Sequence, residues 1–195
     1  MKVQIIVGST REGRVTDRVA KWVEKEVANL EGAEVEIVDL VDYPMPFFDE
    51  AISPQYNPSR TPSAAVKKWL DKVAEADAYV IVTPEYNRSF TAVLKNAIDY
   101  LDFQFAKKPV SIVAHGSSGG AQAVASLRVT LPGVLAVTVP QAVFLSARAG
   151  EVIDVEGTMS EELAAQPYGP QTNLKAALES LKWYADALAL ARQNG

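Results

Sequence analysis

The chain has 195 residues, of which 48% are hydrophobic and 22% charged, and its formal net charge is -5. This length suits one well-buried core, so we expect a single domain spanning residues 1–195. The acidic balance disfavours nucleic acid and anionic membranes as partners. The chain has no cysteine and one histidine, which excludes disulfides, cysteine nucleophiles, thiolate zinc sites and multi-histidine metal centres. No apolar stretch suggests a membrane span or secretory signal, so the expected location is cytoplasmic.

Apolar runs and helix-period segments alternate from the start of the chain. Residues 3–7 are almost all apolar and β-branched, which is typical of a strand covered on both faces. Apolar side chains then recur at three- and four-residue steps from Val15 to Leu30 and predict the first helix, with Gly32 suited to its C-terminal turn. Residues 34–40 alternate polar and apolar side chains and predict an edge strand.

Residues 41–62 contain five prolines and show no clear period. They are too apolar for disorder, so we expect an ordered functional cover whose position the sequence does not define. Thr61 followed by Pro62 has the cap-then-proline order that begins helices. The second helical stripe follows at Val66, Trp69, Leu70 and Val73.

The alternation continues to the end of the chain. Further strands are predicted at residues 78–83, 110–114 and 134–139, the last broken by Pro140, with 142–145 as an extension. Five strands separated by helices imply right-handed crossovers. We therefore predict an α/β fold of the flavodoxin-like type, with three α/β/α layers and a five-stranded parallel sheet in the order 2-1-3-4-5. The remaining helical stripes are Leu94, Ala97, Ile98 and Leu101; Ala121, Val124, Leu127 and Leu131; and Leu174, Leu178, Leu181, Ala185 and Leu188.

In this strand order a crevice opens beyond strands one and three. Residues 8–14, GSTREGR, follow strand one and lead into helix one, whose free N–H groups and positive dipole end favour a phosphate. Ser9 can donate a hydroxyl hydrogen bond, and Arg11 or Arg14 can place two donors on the anion. The alternative interpretation is an ordinary strand-to-helix turn with two solvated arginines.

The loop after strand three carries a more specific signal. Residues 83–90, TPEYNRSF, are followed by 91–101, TAVLKNAIDYL. These two segments, with GSTREGR, closely resemble the NADPH-dependent FMN reductase family, which includes quinone, azo and chromate reductases. Many members have Pro-Gly before the Leu-Lys-Asn block, where this chain has Thr91, Ala92 and Val93, and this difference leaves the start of helix three open.

The resemblance implies FMN as the bound cofactor and NADPH or NADH as the reductant. A hydride would pass from the nicotinamide to flavin N5, and a second acceptor would then be reduced by a ping-pong mechanism. The acceptor would be a quinone, an azo compound, free flavin or a metal oxyanion. No catalytic side chain is implied, because the chemistry belongs to the flavin. The implied FMN contacts are Ser9, Arg11, Arg14, Val15, Thr16, Pro84, Glu85, Tyr86, Asn87, Gly116, Ser117 and Gly119.

The loop after strand four, residues 115–120 with the sequence HGSSGG, is glycine-rich, and the resemblance implies that it lies against the pyrimidine edge of the flavin, where its backbone N–H dipoles would favour negative charge. His115 is interpreted either as a hydrogen-bonded structural residue or as a general base. Arg11, Arg14 and Arg88 are candidates for the extra phosphate of NADPH.

Family members commonly form dimers or dimers of dimers, so the resemblance also implies a homodimer or homotetramer. Tyr100, Phe103 and Phe105 would then lie either at a partner surface or in the core. The competing functional interpretation is a flavodoxin-type electron carrier that does not oxidise NAD(P)H. The phosphate loop of such carriers usually lacks arginine, so Arg11 and Arg14 favour the reductase.

Overall fold

The computed structural model describes residues 1–146 and 148–193. It contains one parallel sheet of five strands in the order β2-β1-β3-β4-β5. This order and the helices on both faces confirm the predicted flavodoxin-like fold. The strands are β1 (Lys2–Val7), β2 (Glu34–Asp39), β3 (Ala78–Pro84), β4 (Pro109–Gly116) and β5 (Val137–Ser146).

Helices cover both faces of the sheet and create two apolar cores. Ile5 and Val7 pack with the first and the last helix of the chain, whereas Ile6, which points to the opposite face, packs with the three helices between β2 and β5. This double burial explains why β1 is apolar at nearly every position. Within the described ranges, no helix combines the length and apolar character needed to cross a membrane. The helices are α1 (Thr16–Ala28), α2 (Ala64–Ala74), α3 (Ala92–Asp99), α4 (Ala121–Thr130), α5 (Ala149–Val152), α6 (Glu161–Ala164) and α7 (Pro170–Gln193).

The prediction for the fifth strand was wrong at its start and at Pro140, while the predicted extension over residues 142–145 is confirmed. Strand β5 begins later than residue 134 because Leu131–Val134 form a short 3-10 helix. It also continues through Pro140 to Ser146. Strand β5 lies at the edge of the sheet, and its register against β4 shifts around Pro140. Because a proline without an N–H is tolerated at such a bulge on an edge strand, Pro140 does not end the strand.

The start of α2 differs from the sequence prediction, and the start of α3, which the sequence left open, is now defined. The N-cap of α2 is Ser63, whose hydroxyl accepts a hydrogen bond from the N–H of Val66, and not Thr61. Thr91 caps α3 by accepting from the N–H of Leu94 at 3.2 Å. The Thr91 hydroxyl also donates to the carbonyl of Gly8 at 2.5 Å, so the start of α3 is tied to the loop after β1.

The 41–62 segment packs along α3. Asn96 of this helix donates to the carbonyl of Pro46 and accepts from the N–H of Phe48, each at 2.8 Å. The first part of the segment lines an apolar recess of about 270 Å³ together with Thr10 of the loop after β1. The predicted cover is therefore an ordered layer beside the first crevice loop.

The aromatic residues that follow α3 divide between core and surface. Tyr100 and Phe105 are buried, and Phe105 stacks on Tyr79 with ring centroids 3.9 Å apart. Phe103 is exposed. The partner-surface interpretation therefore remains available for Phe103 alone, since the other two side chains belong to the core.

The end of the 41–62 segment is held by a buried arginine. Arg60 donates two hydrogen bonds to the Glu50 carboxylate, at 2.7 and 2.9 Å, and one to Asp102 at 3.2 Å. Only 6% of its side chain is exposed. A guanidinium shared by two carboxylates in this setting loses little to solvent screening, so it fixes the segment to the turn after α3.

We expect Arg60→Ala to lower the free energy of unfolding by about 2 kcal/mol, because it leaves two partly buried carboxylates without their cation. The urea midpoint and slope measure this change. Lys67→Ala, which removes an exposed partner of Asp71, is the matched control and should cost no more than about 0.5 kcal/mol. Equal losses in the two variants would show that Arg60 does not anchor the segment.

Candidate active site

The carboxyl ends of β1, β3 and β4 meet at one edge of the sheet, where a cleft of about 330 Å³ opens. The register brings the loops together: Pro84 pairs with His115 across β3 and β4, and the N–H of Gly8 donates to the carbonyl of Val82 at 2.8 Å. The cleft is lined by Arg11, Gly13, Arg14, Val15, Thr16, Pro84, Glu85, Tyr86, His115, Gly116 and Ser117.

The predicted cofactor residues line this cleft except for Ser9, Asn87 and Gly119. Ser9 is buried behind the cleft, with its Oγ 3.3 Å from the Tyr86 hydroxyl. Asn87 is exposed at the tip of its loop, and Gly119 lies beside Phe144 of β5. The cleft also includes His115, which was outside the predicted cofactor set.

The start of α1 forms one wall of the cleft. Val15 is the N-cap residue and makes no side-chain hydrogen bond to the first turn, which begins at Thr16. The first backbone N–H groups of the helix are therefore left to a ligand or water. Together with the positive end of the helix dipole, they make this wall favourable for an anion.

The two arginines of the first loop have different surroundings. The Arg14 guanidinium donates to both carboxylate oxygens of Asp39 and to the carbonyl of Ser9. Arg11 is exposed at the cleft and takes part in none of the ion pairs of the described chain. Arg14 thus ties the loop to the end of β2, whereas the donors of Arg11 are available to a ligand.

The loop after β3 ends in a tight turn. Tyr86 and Ser89 exchange backbone hydrogen bonds at 2.8 and 3.0 Å, and the two residues between them, Asn87 and Arg88, have φ of 49° and 71°. Positive φ at both central positions defines a type I′ turn, which asparagine tolerates better than arginine. The exposed tip of this loop therefore holds Arg88 in an unfavourable backbone region, of the kind found at functional sites.

Glu85 connects this loop to α4. Its N–H donates to the carbonyl of His115 at 2.7 Å, and its carboxylate accepts from the Ser118 hydroxyl at 2.7 Å and from the N–H of Gln122 at 2.9 Å. The Ser118 hydroxyl and the N–H groups of α4 lower the pKa of Glu85. Because the N-cap of α4 is Gly120, which has no capping side chain, Glu85 provides the cap from another loop.

His115 lies at the base of the cleft, with its Nε2 3.1 Å from the Thr16 hydroxyl oxygen. Burial lowers the pKa of His115 to about 4. The imidazole is therefore neutral at pH 7. The sequence left two interpretations of His115 open, a hydrogen-bonded structural residue and a general base. The contact with Thr16 is of the kind expected for a structural residue.

Sequence reasoning missed three residues that position the cleft. Asp39 holds Arg14, Thr91 holds Gly8, and Asn96 holds the neighbouring segment. For Asp39 a signal was present, since a carboxylate at the carboxyl end of β2 lies at the same edge as the loop after β1. The other two contacts are long-range pairings that no local pattern indicates.

A doubly wound parallel sheet, with a cleft at its switch point whose wall is favourable for an anion, defines a flavodoxin-like fold. A family model described as NADPH-dependent FMN reductase matches residues 1–151, so the chain belongs to that family. This membership confirms the predicted class, an oxidoreductase that works with FMN and NAD(P)H.

Individual relatives agree with the family assignment. The chain is 32% identical to an NAD(P)H-dependent FMN reductase from Nectria sp over 93% of this chain and 95% of the relative. It is 33% identical to an FMN-dependent NADPH-azoreductase from Staphylococcus haemolyticus over 72% of this chain and 74% of the relative. The flavoenzyme NAD(P)H:(acceptor) oxidoreductase FerB from Paracoccus denitrificans has a similar fold, with a TM-score of 0.71 and 24% identity over 94% of this chain and 98% of that one.

The capping role of Glu85 predicts a pH-dependent loss of stability in Glu85→Gln. The folded-state pKa lies below the usual value, so the ionised carboxylate stabilises the fold above the unfolded pKa, and this contribution disappears as pH falls through the folded pKa. Urea unfolding should show a loss of about 0.5–1 kcal/mol at pH 7. The difference from wild type should shrink below about pH 4.

Glu179→Gln, on an exposed position of α7, is the control for loss of one negative charge and should leave stability nearly unchanged at both pH values. A Glu85→Gln variant that matches this control at pH 7 would contradict the capping role.

Proposed function

We propose that this chain binds FMN in the cleft and uses NAD(P)H to reduce a small-molecule acceptor. The observation that carries the proposal is the joint placement, in one cleft, of the α1 N-terminus, an unpaired Arg11 and the Pro84–Tyr86 loop. The family assignment of residues 1–151 supports the same function. This family assignment favours the reductase over the flavodoxin-type electron carrier.

The residues of the cleft fit a flavin phosphate. Its volume of about 330 Å³ lies within the range of about 300–1,000 Å³ usual for small-molecule sites. The first N–H groups of α1 and the Arg11 guanidinium provide donors for a phosphate. Gly116 allows the loops after β3 and β4 to approach, because a Cβ at this position would lie 3.0 Å from the Cβ of Glu85. Tyr86 adds an aromatic surface at the same loop.

The proposed binding roles divide among the predicted site residues. Arg11, Val15 and Thr16 hold the phosphate end through side-chain or backbone donors, while Arg14 and Ser9 support the loop from behind. Residues 84–87 follow the polar edge of the flavin ring. Gly116 and Ser117 offer backbone groups to its pyrimidine side, where negative charge develops on reduction, whereas the N–H of Gly119 donates to the carbonyl of Gly116 at 3.0 Å.

Bound FMN would supply the redox chemistry, namely hydride acceptance at N5 from NAD(P)H and electron transfer to a quinone, an azo compound, free flavin or a metal oxyanion. The protein's task is to bind and align the two reactants, which requires no nucleophile. Arg11 and Arg88 are exposed cations at the cleft and at the tip of its neighbouring loop, and they are the candidates for the extra phosphate of NADPH.

We retain a homodimer or homotetramer as the expected assembly. Phe103 is 57% exposed after α3 and lies beside the exposed Tyr56 in the same shallow depression. These two aromatic side chains provide an apolar surface that a second copy would cover.

Arg11→Ala should weaken FMN binding about 10- to 100-fold, because a hydrogen bond to a charged group contributes about 1.5–3 kcal/mol. Fluorescence quenching of FMN measures the dissociation constant, and circular dichroism checks the fold. Arg128→Ala, at an exposed position near the end of α4, is the matched control and should bind FMN like wild type. Unchanged affinity in Arg11→Ala would assign the phosphate to other donors.

Steady-state rates with NADPH and a quinone should give parallel double-reciprocal lines, because both reactants are expected to use the same shallow cleft in turn. Stopped-flow absorbance should show flavin bleaching by NADPH alone within seconds. Intersecting lines would contradict the shared site, and absence of bleaching would instead favour the electron carrier.

A further inference from the structure

The contact between His115 and Thr16 has a chemical consequence for the cleft. Thr16 is fully buried, with 0% of its surface exposed, and its hydroxyl lies 3.1 Å from Nε2 of His115. Within residues 1–146 and 148–193, this nitrogen is the hydroxyl's hydrogen-bond partner. A buried hydroxyl that donates to no acceptor loses the free energy of a hydrogen bond. The Thr16 hydroxyl therefore donates, and Nε2 of His115 accepts.

The other ring nitrogen of His115 then carries the proton. With the imidazole neutral, a lone pair on Nε2 requires N–H on Nδ1. The polar side-chain atoms that are both enclosed and unpartnered in the described chain are Gln4 Oε1, Asp17 Oδ1 and Ser111 Oγ. Nδ1 of His115 also has no hydrogen-bond partner among the described residues, yet it is not one of these enclosed atoms. It is therefore accessible from the cleft that His115 lines.

We infer that His115 presents a neutral Nδ1–H donor to the phosphate group of the flavin, with its tautomer set by Thr16. This inference rests on the proposed function for the identity of the ligand. The ring lies next to the first turn of α1 through Thr16, on the wall that is favourable for an anion. An imidazole kept neutral by burial adds a directed donor there without a mobile charge.

The single histidine of the chain makes the tautomer directly measurable. Protein labelled with ¹⁵N in the imidazole gives one pair of ring nitrogen signals, and ¹H–¹⁵N correlations at pH 7 identify the protonated nitrogen. We expect Nδ1–H in the free protein, although histidine in water prefers Nε2–H. Thr16→Val removes the hydroxyl donor, so the ¹⁵N signal of Nε2 should lose its hydrogen-bond shift, whereas Thr16→Ser should keep both Nδ1–H and this shift.

Ligand titrations identify the group that Nδ1–H contacts. Adding FMN should shift the Nδ1 signals and slow exchange of the proton, whereas riboflavin, which lacks the phosphate, should leave them nearly unchanged. His115→Gln, whose amide reaches the position of Nε2, should weaken FMN binding about ten-fold, the effect of one hydrogen bond to a charged group. His115→Asn, whose amide reaches the position of Nδ1, should retain most of the affinity.

The outcomes separate the inference from the function on which it rests. Nε2–H in the wild-type protein, with or without FMN, overturns the inference without any substitution. Equal losses for FMN and riboflavin in His115→Gln overturn the phosphate contact. Failure of the wild-type protein to bind either flavin overturns the proposed function instead, while the tautomer of the free protein still tests the role of Thr16.

Discussion

The pairing of β1 with β2 on one side and β3 on the other is the constraint from which the site follows. Val7, the last residue of β1, pairs with Asp39 of β2 and with Val82 of β3. The crossover connections to these two neighbouring strands run in opposite directions, so a crevice opens beyond the carboxyl ends of β1 and β3. The same register brings Asp39 beside the first loop, where it holds Arg14. The position of the α1 wall, which is favourable for an anion, therefore follows from the strand order itself.

Many polar residues of the motifs are engaged by the protein. Arg14 is held by Asp39, Glu85 caps α4, and Ser9 contacts Tyr86. These bonds hold the three loops in place before any ligand arrives, which lowers the entropy cost of binding. The groups left to a ligand are consequently few, chiefly the first N–H groups of α1 and the exposed Arg11 guanidinium. Under the proposed function, a cleft of this kind would need no catalytic acid or nucleophile, since its task would be to position a reactive cofactor.

The sequence was sufficient for the sheet order and for the three loops at its edge, because the strands are short apolar runs and the loops carry a family motif. It was insufficient where structure depends on register between distant segments. The Arg14–Asp39 and Glu85–Ser118 contacts span 25 and 33 residues, and neither residue pair shows a local pattern. Pro140 was misjudged for the same reason, because only its edge position and the bulge make it compatible with a strand.

The part of the chain beyond residue 151, where the family match ends, contributes to the site through α1. Trp22 of this helix donates to Gln171 of α7 at 2.7 Å, and Lys21 donates to the carbonyl of Val155 at 2.7 Å. The apolar face of α1 is buried against the same core as α7. A helix held along its length cannot shift its first turn without breaking these contacts, so its N–H groups remain directed at the cleft. The described residues after 151 thus support the wall of α1 that is favourable for an anion, and none of them lines the cleft.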